Sequence, residues 1–185
     1  MPWVTTLCDH AAMATIRLLK LSPAALAALI DGDLDAASAA AGCPLSSFLV
    51  DENWLWRVRL DDIRRDPQAA DWIARAVIAE PEGVIVGHGG FHGPPDADGT
   101  VEVGYTVAPE HRLRGYATAI LIELLRRADA DPRVTAVRAS IRPDNVGSRK
   151  VATRLGFKKI GEQWDPEDGL EDVYVRRTGD QAASS

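Results

Sequence analysis

The sequence predicts an α+β domain whose mixed, mostly antiparallel central sheet is flanked by helices. Three observations carry this. Residues 71–107 hold three strand-like stretches in succession, "DWIARAVIAE", "VIVGHGGFH" and "TVEVGYTV", separated by turn chemistry. A long helical pattern at 115–130 joins the third of these to another strand-like stretch at 135–143. Such a crossover makes its two strands parallel. Two more strand-like stretches, 158–164 and 171–177, close the order.

Each element has a local reason. "TIRLLKLS" (15–22) alternates enough for a first strand. Ser22-Pro23 then opens a helix over 23–30, with serine as the cap and proline where no N–H is needed. Asp31-Gly32 stops it. "DLDAASAAA" (33–41) reads as a second short helix, ended by Gly42 and Pro44. Residues 51–67 are amphipathic, with Trp56, Leu60 and Ile63 recurring at i, i+4 and i+7 until Asp66-Pro67. Trp54 and Trp56 there read as core packing, with a substrate mouth as the alternative. Pro81-Glu82-Gly83 makes a tight turn between strands and "GPPDADG" (93–99) a looser one. "GYATAILIELLRRADA" (115–130) is a long amphipathic helix. "NVGSRKVATRLGF" (145–157) is another, stopped by Gly156.

The expected organisation is an N-terminal arm over 1–13, one domain over 14–177 and a disordered tail over 178–185. Net charge −6 argues against a nucleic-acid binder, which needs a basic footprint. No apolar run approaches the ~20 residues that span a bilayer. The N-terminus lacks a cationic signal-peptide region, so the expected address is the cytoplasm. Cys8 and Cys43 follow no metal or CxxC spacing and read as free thiols, with a disulfide as the alternative. His88 and His92, four apart on a strand, sit about 13 Å from each other, so no metal site is expected.

The stretch "HRLRGYATA" (111–119) sets two arginines and a glycine at the start of the long helix. A helix start exposes several N–H groups and about half a positive charge, which suits an anion. Gly115 lets a ligand approach the backbone, and Ala117 and Thr118 keep the next turn narrow. Neither GxxxxGK[ST] nor a strand-linked GxGxxG is present.

R-x-x-G-x-A is present, as Arg112 to Ala117 after "VEVGYTV". About 27 residues later comes "IRPDNVGSRKVATRLGFKKIGE". Together these resemble motifs A and B of the GNAT superfamily of acetyl-CoA-dependent N-acetyltransferases, most nearly its ribosomal-protein N-terminal acetyltransferase branch. The resemblance covers roughly residues 14–177. It implies acetyl-CoA as co-substrate, wedged between two splayed parallel strands at 100–107 and 135–143. The pyrophosphate would lie on amides of Leu113, Arg114, Gly115, Tyr116, Ala117 and Thr118. Tyr105, Thr106 and Val107 would pair with the pantetheine arm, and an amide near Val107 would hold the thioester carbonyl. Asn145 would contact the pantetheine, or serve simply as a helix cap.

Glu102, on a sheet strand, is a costly acid to bury unpaired and is the candidate general base. The alternative is a structural carboxylate. Many family members carry a tyrosine acid seven residues after the motif B asparagine; here that position is Ala152. The resemblance instead gives the proton-donor role to Ser148. His88 and His92 read as structural or rim residues. The acidic stretch "EQWDPEDGLED" (162–172) reads as a solvated loop, or as an attractor of a cationic acceptor. Arg149 and Lys150 either meet the 3′-phosphate or stay solvated. The expected activity is acetyl transfer to a primary amine, a small molecule or a protein N-terminus, by direct attack and without metal. The chain is a possible homodimer. The rival is a non-catalytic acyl-CoA-binding module.

Overall fold

A computed structural model describes residues 14–73, 75–167 and 169–179. Seven strands form one sheet, ordered β1-β2-β3-β4-β5-β7-β6. They are β1 (Ile16–Lys20), β2 (Arg75–Ala79), β3 (Val84–Phe91), β4 (Thr100–Val107), β5 (Ala136–Ile141), β6 (Lys158–Asp165) and β7 (Gly169–Arg177). The pairs are antiparallel except β4 with β5, the two strands joined by the crossover helix.

The helices are α1 (Pro23–Ile30), α2 (Leu34–Ala41), α3 (Ser47–Asp51), α4 (Asn53–Arg65), α5 (Tyr116–Ala130) and α6 (Val146–Arg154). The first two starts are capped by side chains, the first by the serine expected there. Ser22 Oγ accepts from Ala25 N–H at 3.2 Å, and Asp33 Oδ1 from Ala36 N–H at 2.9 Å. Gly42 ends α2 at φ 72°, a conformation that glycine adopts without strain.

Both faces of the sheet are covered, so β2 is buried throughout and β3 beyond its first residue. On one face, His88 of β3 lies between the rings of Phe48 in α3 and Trp56 in α4. On the other, a Cβ placed on Gly89 would meet Ile120 of α5 at 3.1 Å. The stripe Ala119, Ile120, Leu121, Leu124, Leu125 and Ala128 buries α5 against that face. Truncating the fully buried Leu124 to alanine would cost about 2–5 kcal/mol, from lost transfer energy plus a cavity.

Four expectations need correction. Residues 71–80 are not all strand: Pro67–Asp71 forms a 3-10 turn, Trp72 N–H and Ile73 N–H both donate back to Ala69 O, and β2 starts at Arg75. A short helix, α3, precedes α4 and was not anticipated. The acidic stretch 162–172 is largely the β6–β7 hairpin rather than a solvated loop. Its Asp172 is buried, 2.6 Å from Lys159 Nζ. Thr178, placed in the tail, is anchored: its N–H donates to Thr135 O at 3.0 Å. The arm 1–13, with Cys8, and residues 180–185 lie outside the described residues. Cys43 is a half-buried free thiol. Among the described residues no helix is long and apolar enough to cross a membrane, and no cluster of His, Cys, Asp or Glu forms a metal set.

Candidate active site

The parallel pairing of β4 and β5 is short. Thr100, Val101 and Glu102 face Ala136, Val137 and Arg138, and there it ends, although both strands run on. Beyond Glu102, β4 stays paired with β3 out to Val107. His92 N–H donates to Glu102 O at 2.8 Å, and Ala108 N–H to Val86 O at 2.9 Å. Backbone groups alternate along a strand, so the even-numbered residues turn theirs toward β3. Val103 N–H closes the last step of the β4–β5 ladder, and Tyr105 and Val107 direct N–H and C=O groups into the opening between β4 and β5. Of the three residues expected to pair with a pantetheine arm, Tyr105 and Val107 are so placed. Thr106 is not, since its backbone faces β3.

A cavity of about 500 Å³ fills the opening. It reaches from Trp54, Arg59 and His88 on the α4 side to Tyr105, Leu121 and Ala152 on the α5 side. The two tryptophans divide their roles. Trp56 is 1% exposed and bonds Leu49 O through Nε1 at 2.5 Å, whereas Trp54 is 56% exposed at the cavity.

Glu102 lies at the point of divergence. Ser140 Oγ donates to its Oε1 at 2.6 Å, and Arg138 Nε lies 3.7 Å from its Oε2. Gln163 extends the brace: its Nε2 donates to Ser140 Oγ at 3.0 Å and to Glu171 Oε2 at 2.8 Å, and its Oε1 accepts from Arg138. Four strands thus meet at one polar network. Ser140, Gln163, Glu171 and Arg138 were missed from sequence because their proximity depends on the strand order β4-β5-β7-β6.

Ser148 lies in the first turn of α6, where Asn145 Oδ1 caps its N–H at 3.1 Å. The cap reading of Asn145 therefore holds, and Asn145 and Ser148 both line the cavity. The Ser148 side chain also lies close enough to the Tyr105 phenol to act on it, and both line the cavity. Burial pushes the Tyr105 phenol above its ordinary range, and Ser148 only partly offsets this, so the phenol keeps its proton at neutral pH. Ala152, one turn beyond Ser148, is buried and carries no proton to give. This phenol comes from β4 instead, a pairing no local spacing reveals.

The loop before α5 lies outside the cavity, on the surface. Leu113 (φ 61°) and Gly115 (φ 82°) are both left-handed, and Gly115 precedes Tyr116 with no side chain capping the helix. Left-handed residues at a helix start turn successive amides toward one side, forming an anion-binding concavity. A Cβ on Gly115 would meet only Ala14, at 3.8 Å. Arg112 Nε donates to Val107 O at 3.3 Å, tying the loop to the end of β4. Leu113, Arg114, Gly115, Tyr116, Ala117 and Thr118 are thus together, as expected. Arg149 is engaged elsewhere, donating to Pro143 O at 2.8 Å and Tyr174 Oη at 3.2 Å, while Lys150 is exposed.

A family profile described as the acetyltransferase (GNAT) domain matches residues 18–158, more than half of the chain. The chain belongs to the GNAT acetyltransferase family. Among relatives of this GNAT chain is the uncharacterized N-acetyltransferase YjdG of Bacillus subtilis. It is 37% identical over 73 residues, covering 40% of this chain and 44% of YjdG. The chain spans about half the length of the curated relatives it matches. Two solved structures share the fold. RimJ of Mycobacterium smegmatis, in complex with CoA-disulfide, has a TM-score of 0.64 at 17% identity, covering 91% of this chain and 86% of that one. The ribosomal-protein-S5-alanine acetyltransferase of Vibrio fischeri has a TM-score of 0.56 at 19% identity, covering 90% and 93%.

Proposed function

We propose that this GNAT chain transfers an acetyl group from acetyl-CoA to a primary amine by direct attack. The observation that carries this is the opening of β4 from β5 beyond Glu102. It leaves inward-facing amides at Tyr105 and Val107, next to an uncapped helix start. An extended amide-bearing chain suits the strand groups, and a pyrophosphate suits the amides of residues 113–118.

Bound acetyl-CoA would supply an acyl thioester with a good leaving group. The residues do the rest. The Val107 amide donates to the developing oxyanion. Glu102, at the point of divergence, draws the acceptor ammonium to the opening, where it loses its proton. Ser148, backed by the Tyr105 phenol, protonates the departing sulfur. Asn145 fixes the turn that carries Ser148. The acceptor is a small amine or a protein N-terminus, and the chain works in the cytoplasm. The outer strand β6, with Ile160 and Trp164 exposed, supports pairing between two copies.

The test is calorimetric titration with CoA and acetyl-CoA, for the wild type and Gly115→Val, followed by an acceptor screen reading free-thiol release. Saturable binding that the variant loses, with turnover of an amine, supports the reading. Absence of binding by folded wild-type protein rejects it. The buried Ala152 favours a second reading, a non-catalytic acyl-CoA binder, and turnover of any amine rejects that one.

A further inference from the structure

We propose that His92 is a catalytic residue that takes the proton from the acceptor ammonium, with Glu102 holding that ammonium beside it. This rests on the acetyl-transfer reading above and assigns its first proton.

The register makes the two side chains neighbours. The bond from His92 N–H to Glu102 O sets them directly opposite on adjacent antiparallel strands, hence on one face of the sheet. Gly104, next along that face, makes room: a Cβ there would come within 2.7 Å of His92 Nε2. The imidazole therefore lies across Gly104, and His92, Glu102 and Gly104 all line the cavity. The backbone holding it is fixed by Arg59, whose Nη1 donates to His92 O at 3.3 Å and pairs with Asp62 at 3.1 Å.

The two bases differ in how free they are. The Glu102 carboxylate accepts from Ser140 and lies near Arg138. Among the described residues no hydrogen bond occupies the His92 ring, which is exposed to the cavity. Four charged groups face it: Arg59 and Asp62 from α4, Glu102 from β4 and Arg138 from β5. Burial and the two arginines favour neutral imidazole, and the two carboxylates oppose them. The balance lies below the ordinary value of 6.5, so the ring is a neutral base at pH 7.

The protons balance simply. An ammonium N–H bond breaks, its electron pair stays on nitrogen, and the proton bonds to the imidazole and passes to water. The amine nitrogen then bonds the acyl carbon as the C–S bond breaks, and the second proton lost by nitrogen is matched by the one sulfur gains through Ser148.

The experiment compares His92→Gln with wild type on two probe amines near about pH 6.5. Glycinamide is largely an ammonium ion there, with a pKa of roughly 8, and hydroxylamine is already neutral. The expected result is a loss of about 10²-fold in kcat/KM with glycinamide, little change with hydroxylamine, and unchanged CoA binding. Equal losses with both amines, or none with glycinamide, overturn the proposal. If neither probe is acetylated, NMR titration of the His92 ring in the acetyl-CoA complex decides. A midpoint below 6.5 that falls further in Glu102→Gln supports it, and a midpoint at or above 6.5 overturns it. Failure of the wild type to bind CoA would instead reject the acetyltransferase reading itself.

Discussion

Replacing Gly87 by alanine tests the most sensitive backbone contact in the molecule. Gly87 pairs with Val107, and a Cβ on it would fall against the Thr106 carbonyl oxygen and lie 3.1 Å from both Thr106 C and Val107 Cα. All three atoms are backbone, so no side chain can swing aside. The end of β4 must move outward, toward the opening that its Val107 amide faces. Overpacking of this kind costs about 1–3 kcal/mol, which for a chain of this size lowers Tm by about 2–12 °C. A displacement approaching 1 Å at a group that holds reacting atoms costs roughly 10²-fold in rate. Thermal denaturation by circular dichroism and free-thiol release from acetyl-CoA read the two effects. Gly93→Ala is the control, since nothing lies within 4 Å of its Cβ position. A Gly87→Ala protein with wild-type Tm and turnover would refute the reasoning.

Other outcomes follow from the same geometry. Gly115→Val forces a branched residue to φ 82° and should cost about 1–2 kcal/mol by urea denaturation, while abolishing calorimetric CoA binding. Tyr105→Phe and Ser148→Ala should each lower kcat by about 10²-fold, and the double variant should lose little more, because the two groups act as one donor. Burial and the neighbouring Arg127 push Arg75 down to about 10 and leave its Nε unpartnered, while the Asp71 carbonyl it bonds keeps a second donor in Arg127 at 3.0 Å. Arg75→Met should therefore leave Tm unchanged or raise it. The His88 imidazole, its Nε2 3.7 Å from the carboxylate, holds Glu52 below its ordinary value of 4.5, so its contribution is complete above that value and is lost as pH falls through the lowered one. Glu52→Gln should thus destabilise at neutral pH and match wild type in acid, as followed by urea denaturation at both.

The parts of this molecule that sequence discloses are those that depend on near neighbours. The caps at Ser22 and Asn145 and the glycine before α5 are all local chemistry and appear where expected, and the Asp33 cap, though not expected, is local in the same way. Helix α3 escaped because five residues are too few to show a period, although its Ser46 cap was there to be seen. The start of β2 was misplaced because Trp72 and Ile73 continue its apolar pattern while their amides are spent on a 3-10 turn. In the site, Glu102 and Ser148 were legible. The environment of each was not, because Ser140 and Gln163 reach Glu102 across strand pairings and Tyr105 reaches Ser148 from a strand to a helix. His92 was set aside for the same reason: only the β3–β4 register shows what stands opposite it.

The divergence of β4 from β5 also makes this an unfinished sheet. Amides that a neighbouring strand would satisfy, at Tyr105 and Val107, face the opening, and a bound extended molecule would complete the ladder. Anything that binds only the native state adds RT ln(1 + [L]/Kd) to stability, about 2.7 kcal/mol at a hundredfold excess over Kd. The co-substrate would then act as a removable eighth strand. Resistance of the protein to heat and proteolysis would rise and fall with its supply, so that the molecule persists longest where it has acyl donor to use.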